Sequence, residues 1–392
     1  MTIPQKLARF SWTMFAATLA LVAIGTVAIW SAGNARSEVV FHEMWISSLS
    51  TAVIGLLLML ALSFADYRKY MGLLAVPAYV AALVFLVVVL FTGSTVYGGR
   101  RWLWFFQPSE ISKLCVLALL ASLYGLAGER MLAFRKSFWG FLIAAALVGI
   151  PAALILAEPD LGTALTLVPA VLVMLLAAGV WRRGLMTAAA VGAVVAFTVL
   201  GAVYEAEKPG VAPERREAIL RFVPLKPHQL KRVKVFLFPE SDIAGAGYNL
   251  RQAKISIGSG GFSGKGIGKG ETNHLKYLPQ AISMNDFIFC VWAEETGFVG
   301  SVALLALFGI LLLAGCRIAY VAQDGRGRLF ALGFSTLIFA HVYVNIAMSI
   351  GLVPITGLPL PFISSGRTFL VTVLCGLGIM QSISIHREVE QQ

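Results

Sequence analysis

Charged residues at the ends of long apolar stretches are the first candidates for chemistry in this sequence. Glu110 and Lys113 open one such stretch, and Asp160 and Asp286 each come directly before another. Ionisable side chains in or beside a membrane span are costly, so each is a functional candidate by default. A carboxylate in such a place can act as a general base that removes a proton from an acceptor hydroxyl.

Cations accompany these carboxylates. Arg101 comes shortly before Glu110, Arg367 begins the last apolar stretch, and Lys265 and Lys269 lie in a glycine run. Cations can hold a diphosphate leaving group and stabilise the charge that develops on it. The combination indicates group transfer from a lipid-linked anionic donor. The sequence has no Ser-His-Asp order, no His-Glu-x-x-His motif and no nucleophile elbow, so nothing in it supports a hydrolase.

Structural roles compete with these functional ones. Asp160 and Asp286 could cap helices, because a carboxylate accepts hydrogen bonds from the free N–H groups at a helix start. Glu110 and Lys113, three residues apart, could form a local ion pair that makes their helix insertable. The two interpretations balance for Asp160 and for the Glu110–Lys113 pair. Function is favoured for Asp286, because a long segment delivers it beside the other charges.

Four polar residues lie deeper in the apolar stretches. Glu294 and Glu295 could belong to a packing network or line a polar cavity, and the sequence leaves both interpretations open. His341 and Asn345 are four residues apart on one predicted helix, with no third ligand at metal spacing. An interhelical hydrogen bond is therefore favoured over a metal site.

The glycine run from 258 to 270 resembles a phosphate-binding loop but fails its test. A P-loop needs Gly-Lys followed by Ser or Thr, between a strand and a helix. Here Gly264-Lys265 is followed by Gly266. Backbone N–H groups of the run, with Lys265 or Lys269, could still hold an anionic headgroup.

The composition places these residues in a membrane protein. Of the 392 residues, 58% are hydrophobic and 13% are charged, whereas a soluble domain carries about 25% charged residues. Ten stretches approach the roughly 20 apolar residues that a helix needs to cross a bilayer. They are 11–31, 45–63, 70–92, 108–127, 138–157, 161–179, 185–204, 287–315, 329–351 and 367–385. We therefore predict an all-α polytopic membrane protein of about ten transmembrane helices, in a single domain over residues 1–392.

The distribution of Lys and Arg predicts the orientation. With the N-terminus inside, thirteen of these residues lie on inner segments and three, Arg36, Arg100 and Arg101, lie on short outer loops. Cytoplasmic loops carry the excess of positive charge, so both termini are predicted to be cytoplasmic, in the inner (cytoplasmic) membrane. The net charge of +11 is attributed to this bias and to anionic membrane lipids, not to nucleic acid.

Residues 205–286 form one long segment between the seventh and eighth predicted helices, and the orientation makes it a large extracytoplasmic loop. Long loops within compact proteins are usually functional or disordered. The first part, 205–234, is charged and punctuated by proline, which favours short amphipathic helices on the membrane. The second part, 245–270, is rich in glycine. In this topology the charged candidates at the helix ends all lie at the outer face.

Five groups of motifs together resemble the SEDS family of peptidoglycan polymerases, which includes RodA, FtsW and SpoVE. They lie at 101–103 with 107–113, at 158–163, at 239–270, at 285–289 with 293–297, and at 345–364. Each motif alone is modest, but the set keeps the family's order and spans most of the chain. Gly-Leu-Pro-Leu-Pro at 357–361 and Pro-Glu-Ser-Asp at 239–242 are more similar to the elongation branch, RodA, than to the division branch.

The resemblance implies a ten-helix fold and a glycosyltransferase that polymerises lipid II into glycan strands during cell elongation and cell-shape maintenance. It implies Asp286 as the essential carboxylate. It implies Glu110 and Lys113 as a coupled pair near the site, where a partner's signal is felt. Arg101 and Asp160 correspond to motif positions that line the outer cavity.

The resemblance also implies partners. The substrate is lipid II, an undecaprenyl-diphosphate-linked disaccharide peptide, and a class B penicillin-binding protein supplies transpeptidase activity and activation. No cofactor is implied with certainty. A divalent cation, Mg²⁺ or Mn²⁺, stays open, and no residue is assigned as a metal ligand.

Departures from the family pattern keep alternatives open. Arg367 stands where the family has Gly, Lys276 stands where it has Glu, and two extra residues precede Asp286. One alternative is a division-type, FtsW-like polymerase. A second is a lipid II flippase or transporter, motivated by the polar residues deep in the helices. A third is a non-catalytic scaffold for an envelope complex.

Overall fold

The computed structural model describes residues 2–34, 43–96, 99–104, 106–208, 210–242, 244–271, 275 and 277–387. Two residues named above, Arg36 and Lys276, lie outside the described residues. Two short antiparallel strands, β1 (Ser94–Val96) and β2 (Gly99–Trp102), pair with each other. Almost all the remaining regular structure of the described chain is helical.

The helices follow one another in this order. They are α1 Ile3–Ala8, α2 Trp12–Asn34, α3 Met44–Phe64, α4 Tyr67–Thr92, α5 Pro108–Tyr124, α6 Glu129–Lys136, α7 Phe138–Ala157, α8 Leu161–Ala177, α9 Arg182–Glu207, α10 Pro213–Leu220, α11 Pro227–Leu237, α12 Ala246–Ser259, α13 Gln280–Ser283, α14 Ile288–Val321, α15 Gly325–Ser349 and α16 Arg367–Ile385. A 3-10 turn, Pro239–Ser241, separates α11 from α12.

Each of the ten predicted apolar stretches lies on one of these helices. Within the described residues, eight helices are long and apolar enough to cross a membrane: α2, α3, α4, α7, α9, α14, α15 and α16. Helices α5 and α8 have 17 residues each, which is the short end of the range for a transmembrane helix. The multi-pass α-helical architecture is therefore confirmed, whereas the count of ten spans stays a prediction.

Burial shows how the bundle is arranged. In the apolar window of α16, 89% of the residues are buried inside the protein, against 6% for α9. Helix α16 therefore lies at the centre, packed against α3, α5, α14 and α15. Helix α9 lies at the periphery, where its apolar side chains are available to lipid.

The segment after α9 is folded rather than a plain loop. Short helices occur in its first part, as expected, but the second part also contains a helix of 14 residues, α12. Glu207, at the end of α9, pairs with Arg216 of α10 at 2.6 Å and with Lys234 of α11 at 2.6 Å. One largely buried carboxylate thus holds α10 and α11 to α9. The side of the membrane on which this segment lies stays a prediction.

Helix α14, which covers the predicted stretch 287–315, is broken at Gly297, where φ is 67° and ψ is −161°. A residue with a side chain rarely adopts such a conformation. The glycine run repairs the backbone around the break: Lys265 N–H donates to Glu294 O at 3.0 Å and Gly266 N–H donates to Glu295 O at 2.9 Å. On the other side of the break, Phe298 N–H donates to a carbonyl of the run at 2.9 Å.

The segment from 350 to 366 folds back into the bundle without forming a helix or strand. Leu358, Leu360 and Ile363 are almost completely buried. Gly25 of α2 contacts this segment so closely that a Cβ atom there would overlap the Phe362 carbonyl oxygen. The first long helix therefore supports a segment more than 300 residues later in the chain.

The two ends of the described chain meet. The Arg9 guanidinium donates to Arg387 O at 2.9 Å, and Gln381 exchanges hydrogen bonds with the backbone of Ser11. Both ends therefore lie at the same end of the bundle, which two termini on one side of a membrane require.

Candidate active site

The backbone around Asp286 is held by polar side chains from two other parts of the chain. Asn345 Nδ2 of α15 donates to Asp286 O at 3.0 Å. Ser364 Oγ donates to Asn285 O at 2.6 Å, and Ser365 Oγ donates to Asn285 Oδ1 at 2.6 Å. The buried segment before α16 and the helix α15 thus fix the peptide that carries the carboxylate.

The Asp286 carboxylate itself is left available. It is half-buried, and it forms no hydrogen bond or ion pair with any of the described side chains or backbone groups. A methyl group placed on Gly357 would lie 3.5 Å from Asp286 Oδ2 and 3.7 Å from Arg232 Nη2. Arg232 Nη1 donates to Thr356 O at 2.7 Å, which fixes its guanidinium. The Asp286 carboxylate and the Arg232 guanidinium therefore both face the space beside Gly357.

Arg101 and Asp160 form the second part of the cluster. The Arg101 guanidinium donates to the backbone carbonyls of the two residues before Asp160, and its Nη1 lies 3.9 Å from Asp160 Oδ2. Asp160 Oδ1 accepts from Thr163 N–H at 3.1 Å, which confirms the expected helix cap, and Oδ2 accepts from Gln107 Nε2 at 3.1 Å. Asp160 thus caps α8 with one oxygen and binds Arg101 and Gln107 with the other.

The pKa shifts show that these groups share one electrostatic environment. Burial raises the pKa of Asp286 to about 6, Asp160 acts in the same direction, and Arg232 and Arg101 oppose it. Burial lowers the pKa of His228, and the nearby cations Arg232, Arg101 and Lys226 lower it further. A carboxylate that titrates near neutral pH is suited to general base catalysis.

Glu158 is a buried acid at the edge of this cluster. Burial raises its pKa to about 8, Asp160 raises it further and Arg101 lowers it. The side chain is 0% exposed, and neither carboxyl oxygen has a hydrogen-bond partner in the described part of the chain. Glu158 is therefore largely neutral at pH 7 and adds little negative charge beside Arg101.

Glu110 and Lys113 form the expected ion pair deep in the bundle. Lys113 Nζ lies 2.8 Å from Glu110 Oε2, and both side chains are almost completely buried. Lys113 Nζ also lies 2.9 Å from His341 Nε2 and 5.2 Å from the ring centre of Phe369. His341 therefore makes the interhelical hydrogen bond that the sequence favoured, and its partner is Lys113 of α5.

The lysines of the glycine run lie in a different cluster. Lys265 Nζ pairs with Glu294 Oε1 at 2.8 Å and with Glu271 Oε2 at 3.3 Å, and Ser256 Oγ donates to Glu294 Oε2 at 3.1 Å. Lys269 is exposed and has no ion pair with the described residues. Contacts of these lysines with a substrate stay predictions.

Glu294 and Glu295 belong to a packing network, which settles the choice that the sequence left open. Glu295 accepts from Ser31 Oγ of α2. Glu294 accepts from Lys265 Nζ and from Glu271 N–H. Both carboxylates thus tie the glycine run and α2 to the first half of α14.

Arg367 points to another neighbour. Its Nη1 donates to Ser47 Oγ of α3 at 3.3 Å, and the side chain is exposed. The next residue, Thr368, accepts from Gln107 N–H at 3.3 Å through its Oγ1. The start of α16 therefore reaches the Arg101–Asp160 cluster through Thr368, whereas a role of Arg367 in substrate binding stays a prediction.

Sequence reasoning missed Arg232, His228, Lys226 and Gln107. Three of them lie on or just before α11, in a region identified only as charged and amphipathic. Val233 of α11 is buried while Lys231 is exposed, so a helical projection of 227–237 would have separated the two faces. No sequence signal showed that the buried side of α11 would turn towards Asp286.

A divalent cation stays a prediction. No three His, Cys, Asp or Glu side chains among the described residues are placed to hold one together. Asp160 is already engaged by Gln107 and Arg101.

The family of the chain follows from a comparison with known proteins. The model of a family described as "Cell cycle protein", which groups FtsW, RodA and SpoVE proteins, matches residues 11–389. This chain belongs to that family. One FtsW/RodA/SpoVE relative, the peptidoglycan glycosyltransferase MrdB of Escherichia coli strain K12, is 35% identical over 382 residues, which cover 96% of this chain and 94% of MrdB.

Two solved structures match almost the whole chain. RodA of Thermus thermophilus, a rod shape determining protein, has a TM-score of 0.66 at 28% identity and covers 97% of this chain and 98% of its own. A chain of a peptidoglycan synthase complex that coordinates polymerisation and crosslinking has a TM-score of 0.74 at 28% identity, with coverage of 96% and 97%. The family resemblance of the motifs is thereby confirmed over residues 11–389.

Proposed function

We propose that this chain is a peptidoglycan glycosyltransferase that polymerises lipid II into glycan strands during cell elongation. The observation that carries the proposal is the Asp286 carboxylate, which has no partner among the described residues and faces Arg232. A half-buried carboxylate that no described protein group engages is open to a ligand. A hydroxyl nucleophile supplied by a substrate, together with an anionic leaving group opposite, explains both side chains.

The reaction follows from the two halves of the cluster. Asp286 accepts the proton of an acceptor sugar hydroxyl as the hydroxyl oxygen bonds to the anomeric carbon of the donor. The bond between that carbon and the diphosphate oxygen breaks, and its electron pair leaves with the lipid diphosphate. Arg232, Arg101 and Lys226 stabilise the charge that develops on the leaving group.

The raised pKa of Asp286 fits this role. An ordinary aspartate is a weak base, whereas a carboxylate with a pKa near 6 is mostly ionised at pH 7 and accepts a proton more readily. Glu158, which is largely neutral, leaves the positive charge of Arg101 mostly uncompensated by a second nearby acid. The protein thus combines a base with a cationic surface without joining them in a tight ion pair.

Partner and orientation complete the proposal. A class B penicillin-binding protein would supply the transpeptidase, in keeping with the similarity to a chain of a synthase complex that coordinates polymerisation and crosslinking. Lipid-linked sugars are polymerised outside the cytoplasm, so the Asp286 cluster faces outward and both termini face the cytoplasm. The contact between Arg9 and Arg387 supports termini that share one side.

The test is polymerisation of labelled lipid II by purified protein, with and without its penicillin-binding partner. Asp286→Asn keeps the shape of the side chain but cannot accept the proton, so we expect a loss of about 1,000-fold in turnover. Glu217→Gln, an exposed change in the same segment, is the matched control. Polymerisation by Asp286→Asn at the rate of the unchanged protein would refute the proposed role.

A transporter is supported by one observation, the break in α14. Discontinuous helices occur where transporters bind their substrates. Here the carbonyls freed by the break at Gly297 are occupied by N–H groups of Lys265 and Gly266, which favours a structural role. Reconstituted liposomes distinguish the two functions, because lipid II movement across the bilayer without glycan formation would favour transport.

A further inference from the structure

One turn beside Asp286, residues 356–359, is held from three directions. Three of its four backbone carbonyls face a side-chain donor. The pairs are Arg232 Nη1 with Thr356 O (2.7 Å), Asn345 Nδ2 with Leu358 O (2.7 Å) and His341 Nδ1 with Pro359 O (3.4 Å). The remaining residue, Gly357, faces Asp286 and Arg232. The position of this turn therefore sets the distance between the carboxylate and its opposing cation.

His341 also contacts the buried ion pair. Its Nε2 lies 2.9 Å from Lys113 Nζ, and its ring packs on Phe369 with the ring centres 4.4 Å apart. The side chain is 0% exposed, so water does not compete for these contacts. One imidazole thus lies between the Glu110–Lys113 pair and Pro359.

Donor and acceptor chemistry fixes the direction of these two contacts. An ammonium group donates hydrogen bonds and cannot accept them. Nε2 of His341 must therefore accept from Lys113, which leaves the proton of the neutral ring on Nδ1. That Nδ1–H is directed at Pro359 O, so the hydrogen bonds run in one direction from Lys113 through His341 to the turn.

We propose that His341 is a positioning residue that transmits the state of the Glu110–Lys113 ion pair to the turn 356–359, and through it to Asp286 and Arg232. When Glu110 holds the ammonium in place, the His341 tautomer is fixed and Pro359 O has its donor. When the ammonium moves away, His341 is free to adopt the other tautomer, and the turn loses one of its three anchors. This inference rests on the proposed polymerase function, because its test measures the turnover of lipid II.

The test replaces His341 by Phe, which keeps a ring on Phe369 but removes both hydrogen bonds. We expect turnover to fall about tenfold while KM for lipid II changes less than about twofold, because the change affects the geometry of catalysis and not the cationic surface. Arg232 holds down the pKa of Asp286. A loosened turn should therefore also move the acid limb of the pH–rate profile to higher pH.

Two further variants separate positioning from simple packing. The amide of His341→Asn keeps a donor near the Nδ1 position for Pro359 O, so we expect it to restore part of the lost turnover. Tyr343→Phe, on the exposed side of the same helix, is the matched control and should leave turnover unchanged. If His341→Phe does not fold, His341→Gln, which can still accept from Lys113 but has no donor near Pro359 O, should fold and show a reduced turnover.

The outcomes distinguish this inference from the proposed function. Turnover and a pH profile unchanged in His341→Phe, with Asp286→Asn inactive, would overturn the inference and leave the polymerase intact. An equal loss in the Phe and Asn variants, without a shift in the pH profile, would also overturn it. Activity in Asp286→Asn would instead remove the proposed function itself.

Discussion

Two polar clusters flank the start of α14, and they differ in how completely their groups are paired. In the Glu294 cluster, one carboxylate oxygen accepts from Lys265 and from Glu271 N–H, and the other accepts from Ser256. In the Asp286 cluster, the carboxylate has no hydrogen bond to the described residues. Buried polar groups in folded proteins are normally satisfied. The paired cluster therefore stabilises the fold, whereas the half-buried Asp286 carboxylate is open to a ligand.

Residue types alone do not separate the two clusters. Both combine acids with basic side chains, and the Glu294 cluster has in addition a glycine run that could hold an anion. The N–H groups of Lys265 and Gly266, which belong to that run, donate to the carbonyls freed by the helix break at Gly297. The glycine run lies beside the break in α14, so its N–H groups bind the carbonyls at the break instead of an anion. No pattern in the sequence predicts that break.

Among the changes that compare the two clusters, removing Arg232 should have the largest effect on activity. Arg232→Gln removes a cation that faces the leaving group, and we expect kcat/KM for lipid II to fall about 100-fold, or about 2.7 kcal/mol. Lys231→Gln, on the exposed side of the same helix, is the control and should lose less than about threefold. Equal losses in both variants would mean that only the overall charge of α11 matters.

The next largest effect on activity is expected on the acid limb of the pH–rate profile. Asp286 must be ionised to accept a proton, and its pKa is raised to about 6. Below pH 6 the rate should fall about tenfold per pH unit. Burial is the main cause of the shift and Arg232 opposes it, so Arg232→Gln should move the limb to higher pH. A limb at the ordinary aspartate value near pH 4 would contradict the environment seen here.

A smaller effect is expected on the alkaline side. The pKa of Glu158 is raised to about 8, so this acid becomes charged above pH 8 and then opposes the anionic donor beside Arg101. We expect kcat/KM to fall about threefold between pH 7 and pH 9, and Glu158→Gln to lose this fall while keeping the acid limb. The measurement is the pH dependence of initial rates; an identical alkaline fall in Glu158→Gln would assign it to another group.

Lys265 should have the smallest effect on activity and a clear effect on stability. Lys265→Met leaves Glu294 without its cation, and we expect a loss of about 2 kcal/mol in the free energy of unfolding, discounted for the partial exposure of Lys265. Lys269→Met should change it by less than about 0.5 kcal/mol. Thermal unfolding in detergent measures both. A fall in polymerisation at unchanged stability would instead make Lys265 a substrate contact.

The sequence predicted the helices well because apolar length is a local property. All ten stretches lie on helices, and the hydrogen bonds of a membrane span must be satisfied within it. The ion pair of Glu110 and Lys113 and the cap formed by Asp160 were also accessible, because both depend on residues three positions apart.

The rest of the site depends on contacts between distant parts of the chain. Arg232 reaches Asp286 because Glu207 anchors α11 and because the turn at 356–359 accepts its hydrogen bond. Gly297 stands within an apolar stretch, and only the backbone of the glycine run shows that the helix breaks there. No periodicity or spacing encodes such pairings, so they could not be predicted from a single sequence.

The tight contact at Gly25 has a genetic consequence. A side chain there would push on the carbonyl of Phe362, two residues before the serine that clamps Asn285. A screen for inactive alleles should therefore recover Gly25 substitutions in full-length, membrane-inserted protein that mimic the loss of Asp286. Unlike true replacements of the carboxylate, these alleles should yield intragenic suppressors at 355–365.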